Sequence, residues 1–220
     1  MEQKKNPDVK RLVLLAIFTA LAFIVASLPQ IPVVAFLKYE AKDVIITMCG
    51  FIIGPIASLI VSVISAVLET ISNPQSGTGP IGCLMDILSS SCYACTAAWI
   101  YKHRRTIRGA VSGLVLGSVL MVMVMLLWNW LISPLYLHTD RQTIAGMLIP
   151  VFLPFNALKA LLNSALVLCL YKPLITALRK ARLVKAPEGK EGGFKLGIYL
   201  LSFAVLATGI LLLLVLQGKL

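Results

Sequence analysis

The sequence predicts an all-α integral membrane protein, and three observations support that fold class. Of the 220 residues, 59% are hydrophobic and only 13% are charged, which leaves too little polar surface to cover a soluble core. The mean hydropathy is +0.91. The apolar residues also fall into stretches of about 20, the length at which a helix crosses a bilayer. One compact membrane domain accounts for a chain of this length.

Five apolar stretches are long enough to span a membrane on their own. They are residues 12–28, 81–101, 110–132, 147–171 and 196–216. The polar start of the chain leads directly into the first stretch without a small-residue cleavage site, so we expect an uncleaved helix rather than a signal peptide. A further stretch, residues 44–71, is too long for one upright crossing and is interrupted by Gly50, Gly54 and Pro55.

Basic clusters predict how often residues 44–71 cross. The net charge of +11 is concentrated in residues 4–11, 102–108 and 172–185, and clusters of this kind mark cytoplasmic loops rather than a nucleic-acid surface. An even number of crossings must then separate the first two clusters. We therefore expect a short helix over residues 43–51, a turn at Gly54 and Pro55, and a fuller helix to residue 71. The short helix must be shielded by protein or supported by the apolar segment 31–37.

This topology divides the chain into three parts. Residues 1–178 form a membrane domain of six segments with both ends in the cytoplasm, residues 179–195 form a basic cytoplasmic linker, and residues 196–220 add a seventh helix. The seventh helix has no Asp, Glu, Lys, Arg or His between Lys195 and Lys219. It is expected to be an anchor or a lipid-facing packing helix.

Polar side chains within the apolar stretches are the candidates for function, because they are costly in hydrocarbon. The candidates are Asn129, Asn156, Lys159, Asn163, Asp43, Glu69 and Asp86, with Glu40 and Lys42 just outside the membrane. Asn156, Lys159 and Asn163 follow the spacing i, i+3, i+7 and share one helix face. A buried ammonium at Lys159 requires a carboxylate or a ligand. The set predicts a cavity open to the outside, although each amide alone is also typical of a structural hydrogen bond between helices.

Such a cavity suits an uncharged polyhydroxylated or heteroaromatic solute. Amides pair with the donor and acceptor edge of a ring, and aromatic side chains cover its faces. Four aromatic residues lie at a suitable depth, namely Trp128, Trp130, Tyr136 and Phe155. Each of them singly is also typical of an interfacial anchor.

Several functions are excluded or unsupported. The sequence has no G-x-x-x-x-G-K-[ST] phosphate loop, so the chain is not expected to hydrolyse ATP itself. It has no H-E-x-x-H motif and no plausible Ser/His/Asp set, so an enzyme is not predicted. The C-x-x-C of Cys92 and Cys95 lacks further ligands nearby, and we expect apolar packing rather than a metal or cofactor. Ala16 and Ala20 form an A-x-x-x-A pattern that allows close approach of another helix, either within this chain or in a partner.

These residues together resemble the S components of energy-coupling factor (ECF) transporters, and within them the riboflavin-specific branch. The resemblance covers about residues 8–178. It depends most on W-N-W at 128–130 followed by S-P-L-Y at 133–136, and on L-P-F-N-A-L-K at 153–159. The A-x-x-x-A and Gly-Pro elements are generic to the superfamily.

The resemblance implies a six-helix bundle in the bacterial plasma membrane, with a pocket near the outer face capped by the loop after the first helix. It implies that Asn129, Asn156 and Lys159 hydrogen-bond riboflavin. It also implies assembly with a membrane coupling subunit, against Ala16 and Ala20, and with two cytoplasmic ATPases. The seventh helix departs from the common pattern. The alternatives are an S component for another vitamin, such as pantothenate or thiamine, and a non-transport membrane scaffold without a small-molecule ligand.

Overall fold

Helices make up nearly all of the described chain. The computed structural model describes residues 7–34, 37–72, 79–181 and 196–216. Its helices are α1 (Pro7–Ser27), α2 (Lys42–Ile52), α3 (Pro55–Ser72), α4 (Gly79–His103), α5 (Ile107–Leu137), α6 (Arg141–Met147), α7 (Leu153–Lys180) and α8 (Leu196–Leu216). Five stretches of helix in these ranges have the length and apolar composition to cross a membrane. The all-α membrane fold predicted from the sequence is confirmed.

The stretch over residues 44–71 forms two helices, as the parity of basic clusters predicted. α2 has 11 residues, which span about 16 Å of a hydrocarbon core about 30 Å thick. Gly54 joins it to α3 with a φ of +132°, a conformation that residues with a Cβ rarely adopt. α2 contacts α1, α3, α4 and α7, so its polar residues are shielded by protein rather than exposed to lipid.

The helical hairpin of α4 and α5 is packed through glycines on α5. A Cβ added at Gly113 would lie 2.7 Å from the Ala97 carbonyl oxygen, and one at Gly117 would lie 2.6 Å from the Tyr93 carbonyl oxygen. Because backbone atoms cannot yield as a flexible side chain does, only glycine allows this approach. Tyr93 and Ala97 are fully buried in the main core.

α1 packs one face onto the bundle and leaves the other exposed. Leu14, Phe18 and Ala22 are buried in the core, where α1 contacts α2 and α3. Ala16 and Ala20 lie on the exposed face. Among the described residues, their A-x-x-x-A pattern therefore packs against no other helix, which makes it available to a partner helix or to lipid.

Two local structures differ from the purely helical prediction. The segment after α1 forms an antiparallel hairpin of β1 (Ile31–Val34) and β2 (Leu37–Tyr39), which we call the cap hairpin. The predicted helix over residues 147–171 is preceded by α6 and begins with a π-helical turn, Leu148–Phe152. Strands of four and three residues are too short for an alternating pattern to be recognised in sequence, and the π turn contains Pro150, which cannot donate a helical hydrogen bond.

α8 is not detached from the domain. It packs against α7 and contacts β1. A Cβ at Gly209 would lie 2.6 Å from Leu162 Cδ2. Residues 182–195, most of the predicted linker, lie outside the described residues.

The glycine contacts between α4 and α5 predict that an added methyl group lowers the stability of the protein. Gly117→Ala should lower the unfolding midpoint in detergent micelles by an amount equivalent to about 1–3 kcal/mol, because the new methyl group overlaps a backbone oxygen. Gly146→Ala is the matched control, since its Cβ position is at least 4 Å from the rest of the described residues. Equal midpoints for the two variants would contradict the close packing of α4 and α5.

Candidate functional site

Asp43 is the centre of a buried polar cluster. Its carboxylate is 1% exposed and lies at the start of α2, whose N-terminal dipole stabilises negative charge. Lys159 Nζ of α7 lies 3.1 Å from Asp43 Oδ2. Asn163 Nδ2 donates to the same oxygen at 3.2 Å, and the Ser90 hydroxyl of α4 donates to Oδ1. The sequence offered three carboxylate partners for Lys159, and Asp43 is the one that pairs with it.

The cap hairpin is attached to this cluster through Tyr39. The Tyr39 hydroxyl donates to Asn163 Oδ1 at 2.8 Å, so Asn163 bridges the hairpin and Asp43. Burial raises the pKa of the Tyr39 phenol, which keeps the hydroxyl protonated and able to donate. Tyr39 was not among the residues predicted from sequence, because a single tyrosine in a loop carries no pattern.

Lys42 forms a second ionic centre beside the first. Its side chain is 1% exposed, and its ammonium contacts Glu69 of α3, Asp86 of α4 and Glu40, which follows the cap hairpin. The sequence placed Lys42 at the membrane edge and did not anticipate this role. The three carboxylate oxygens lie within 4.8 Å of one another, a spacing that a metal ion could use, but here the Lys42 ammonium satisfies them.

The two centres together carry more negative than positive charge. The carboxylates of Glu40, Asp43, Glu69 and Asp86 face the ammonium groups of Lys42 and Lys159. The two centres are neighbours, since Lys42 and Asp43 are consecutive residues at the start of α2. A surplus of carboxylates, of which Asp43 is fully buried, disfavours an anionic ligand and tolerates a neutral one.

Asn129 belongs to a separate network on α5. Its amide donates to the Met125 carbonyl at 2.8 Å and its oxygen accepts from the Ser133 hydroxyl at 2.9 Å. Ser133 in turn shares a hydrogen bond of 2.8 Å with the Tyr136 hydroxyl. Asn129 is thus buried and held in one orientation by the W-N-W and S-P-L-Y segments that the sequence singled out.

Asn156 lies one turn from Lys159 on the same face of α7. Its amide donates to the Phe152 carbonyl at 2.8 Å, the last residue of the π turn. Irregular turns of this type are frequent at functional sites. Phe155 belongs to a small apolar cluster with the hairpin residues Val33 and Tyr39, so it lies beneath the cap hairpin.

The predicted aromatic residues divide into two groups. Trp128 is partly buried against the main core, and its Nε1 is buried without a hydrogen-bond partner among the described residues. Trp130 is exposed, with the Arg141 guanidinium 5.6 Å from its ring centroid, and resembles an interfacial anchor. Trp128 is therefore the better candidate for contact with a ligand.

A cavity lies between the end of α1, the cap hairpin and the end of α3. Its volume is about 400 Å³, and its walls include Phe23 and Ser27 of α1, Gln30, Lys38 and Glu69. Glu69 lines this cavity and also pairs with Lys42. The cavity therefore borders the ionic centre of Lys42, whereas Asn129, Asn156 and Lys159 do not line it.

Comparison with known proteins defines the class of this chain. The family model "ECF transporter, substrate-specific component" matches residues 10–171, and the chain belongs to that family. It is accordingly a multi-pass membrane transport component rather than an enzyme, as the sequence predicted.

Individual relatives are more specific. The riboflavin transporter RibU of Staphylococcus aureus is 25% identical over 181 residues, which cover 78% of this chain and 93% of that protein. The riboflavin transporter FmnP of Bacillus subtilis is 27% identical over 189 residues, covering 80% of this chain and 98% of that protein. A solved structure of the S component of a bacterial ECF transporter is 25% identical and superimposes with a TM-score of 0.65, covering 78% of this chain and 99% of that one.

The ion pair between Asp43 and Lys159 yields a stability prediction. Asp43→Asn should destabilise the ligand-free protein by about 3–5 kcal/mol, because it leaves the Lys159 ammonium buried without its counter-charge. The measurement is the unfolding midpoint in micelles. Asp140→Asn is the control, since Asp140 is the exposed N-cap of α6 and asparagine caps helices as well as aspartate.

The double variant Asp43→Asn/Lys159→Met separates the pair from the fold as a whole. Removing both charges should recover most of the lost stability, because no unpaired charge remains. Additive losses in the double variant would show that the two side chains do not interact.

Proposed function

We propose that this chain is the riboflavin-binding subunit of an ECF transporter, which takes the vitamin from outside the cell. The observation that carries the proposal is the buried face of α7, where Lys159 and Asn163 contact Asp43 and Asn156 lies one turn away from Lys159. Asn163 also accepts a hydrogen bond from Tyr39 of the cap hairpin. The relatives named riboflavin transporters support the same substrate.

The chemistry of the cluster fits riboflavin, which is uncharged near neutral pH. The amides of Asn129 and Asn156 and the ammonium of Lys159 supply donors and acceptors for the polar edge of the ring system and for hydroxyl groups. The indole N–H of Trp128 offers a further donor, and Phe155 offers an apolar face. The surplus of carboxylates favours a neutral solute over an anionic one.

Charge and the exposed face of α1 support the orientation and the partners that we propose. The basic residues at 4–11, 102–108 and 172–185 favour an N-terminus in the cytoplasm of a bacterial cell by the positive-inside rule. Ala16 and Ala20 offer a small-residue face to a membrane coupling subunit. Two ATPases bound to that subunit supply the energy, since this chain has no phosphate loop, and the bundle topples to release the vitamin inside.

Binding can be measured directly through the flavin. Purified protein should quench riboflavin fluorescence, and Asn156→Ala or Lys159→Ala should each weaken binding by about 1–3 kcal/mol, since a buried partner on the ligand is left unpaired. Lys172→Ala is the control, because Lys172 is exposed near the far end of α7.

The same assay separates the proposal from its alternatives. The protein should quench riboflavin fluorescence, and an excess of pantothenate or thiamine should not restore it. Mass spectrometry of the purified protein should find a flavin. Binding of another vitamin instead would assign a different S component. If no ligand binds and Asn129→Ala has no effect on the function of the protein, the chain is a membrane scaffold without a transport role.

The alanine face yields a prediction on assembly. Ala16→Leu and Ala20→Leu should reduce co-purification with the coupling subunit and riboflavin uptake, because the larger side chains hold the partner helix away. Riboflavin binding by the isolated subunit should be unchanged. Ala204→Leu is the matched control, since Ala204 is exposed on α8. Equal uptake in all three variants would show that Ala16 and Ala20 do not lie in the interface with the coupling subunit.

A further inference from the structure

The predicted seventh membrane helix, which is α8 in the structure, lies outside the part of the chain that matches the family model. The family match ends at residue 171, whereas α8 begins at Leu196. The matched relative from Bacillus subtilis is covered over 98% of its own length by 80% of this chain. The family match therefore says nothing about the role of α8, and its contacts within this protein are the basis for assigning one.

α8 packs behind the residues that hold the cap hairpin. Gly209 approaches α7 so closely that an added Cβ would lie 2.6 Å from Leu162 Cδ2 and 3.7 Å from Leu158 Cδ1. Leu158 and Leu162 belong to the same buried cluster as Val33 and Tyr39 of the cap hairpin. α8 also contacts β1 itself. The helix therefore supports both the hairpin and the surface of α7 on which it packs.

The same segment of α7 carries the candidate ligand contacts. Lys159 follows Leu158, and Asn163 follows Leu162, on the neighbouring face of the helix. Asn163 accepts the hydrogen bond from Tyr39. A displacement of α8 would loosen the apolar contacts on one face of α7 and the anchoring of the hairpin on the other. Packed interiors transmit such a change because they contain few voids.

We propose that α8 is a positioning helix for the cap hairpin, and that its packing through Gly209 slows the exchange of bound ligand. This inference rests on the proposed function only in the identity of the ligand. Without the support of α8, the hairpin would open more often over the same binding residues. The affinity would then change through dissociation, which is the step that altered packing affects most.

The test uses the full chain with a substitution that separates α8 from α7. Gly209→Leu should speed riboflavin dissociation about tenfold, measured as fluorescence recovery after dilution, with a much smaller change in association. Gly197→Leu is the matched control, because no other part of the described chain lies within 4 Å of its Cβ position. Gly209→Ala serves as a milder variant if Gly209→Leu fails to fold.

A second measurement does not depend on the ligand. Hydrogen exchange of the backbone amides in β1 and β2 should be faster in the ligand-free Gly209 variants than in Gly197→Leu. If the wild-type protein binds no riboflavin, the proposed function fails while this comparison still decides the role of α8. If hairpin exchange and, where riboflavin binds, its dissociation are the same in all variants, the positioning role is overturned.

Discussion

The pairing of the Lys159 ammonium with the Asp43 carboxylate is the interaction on which the site depends. Either charge alone would be prohibitively costly in this environment. Together they attach α7 to the start of α2, and the remaining oxygen positions of Asp43 are used by Ser90 and Asn163. The hydrogen bond from Tyr39 to Asn163 then extends the network to the cap hairpin. One ion pair thus fixes the relation of three helices and the hairpin that covers them.

The short helix α2 is what makes this arrangement possible. Because it does not span the bilayer, its N-terminus and the charged side chains of Lys42 and Asp43 are placed inside the protein, where α3, α4 and α7 supply their partners. A full-length helix would carry these residues to the membrane surface. The glycine contacts of α5 with α4 provide the rigid neighbour against which α2 packs.

Much of the architecture followed from the sequence, because hydropathy and charge act over whole segments. The spans, the division of residues 44–71 at Gly54, and the grouping of Asn156, Lys159 and Asn163 on one face were all predicted. The cap hairpin, the π turn and α6 were not, since each is short and is stabilised by contacts with distant residues. The predicted boundaries of the three parts, the orientation and the ligand contacts stay predictions, and residues 182–195 of the linker lie outside the described chain.

The sequence by itself determined that polar groups must converge within an apolar bundle, because helix periodicity and the cost of burying charge are local properties of the chain. Only the tertiary structure decided which carboxylate pairs with which lysine. Lys159 had three possible carboxylates and pairs with Asp43, while Lys42 takes Glu69 and Asp86. Those partners lie 27 to 116 residues apart along the chain. Helix packing brings residues this far apart in sequence into contact, and no spacing pattern in the sequence predicts those contacts.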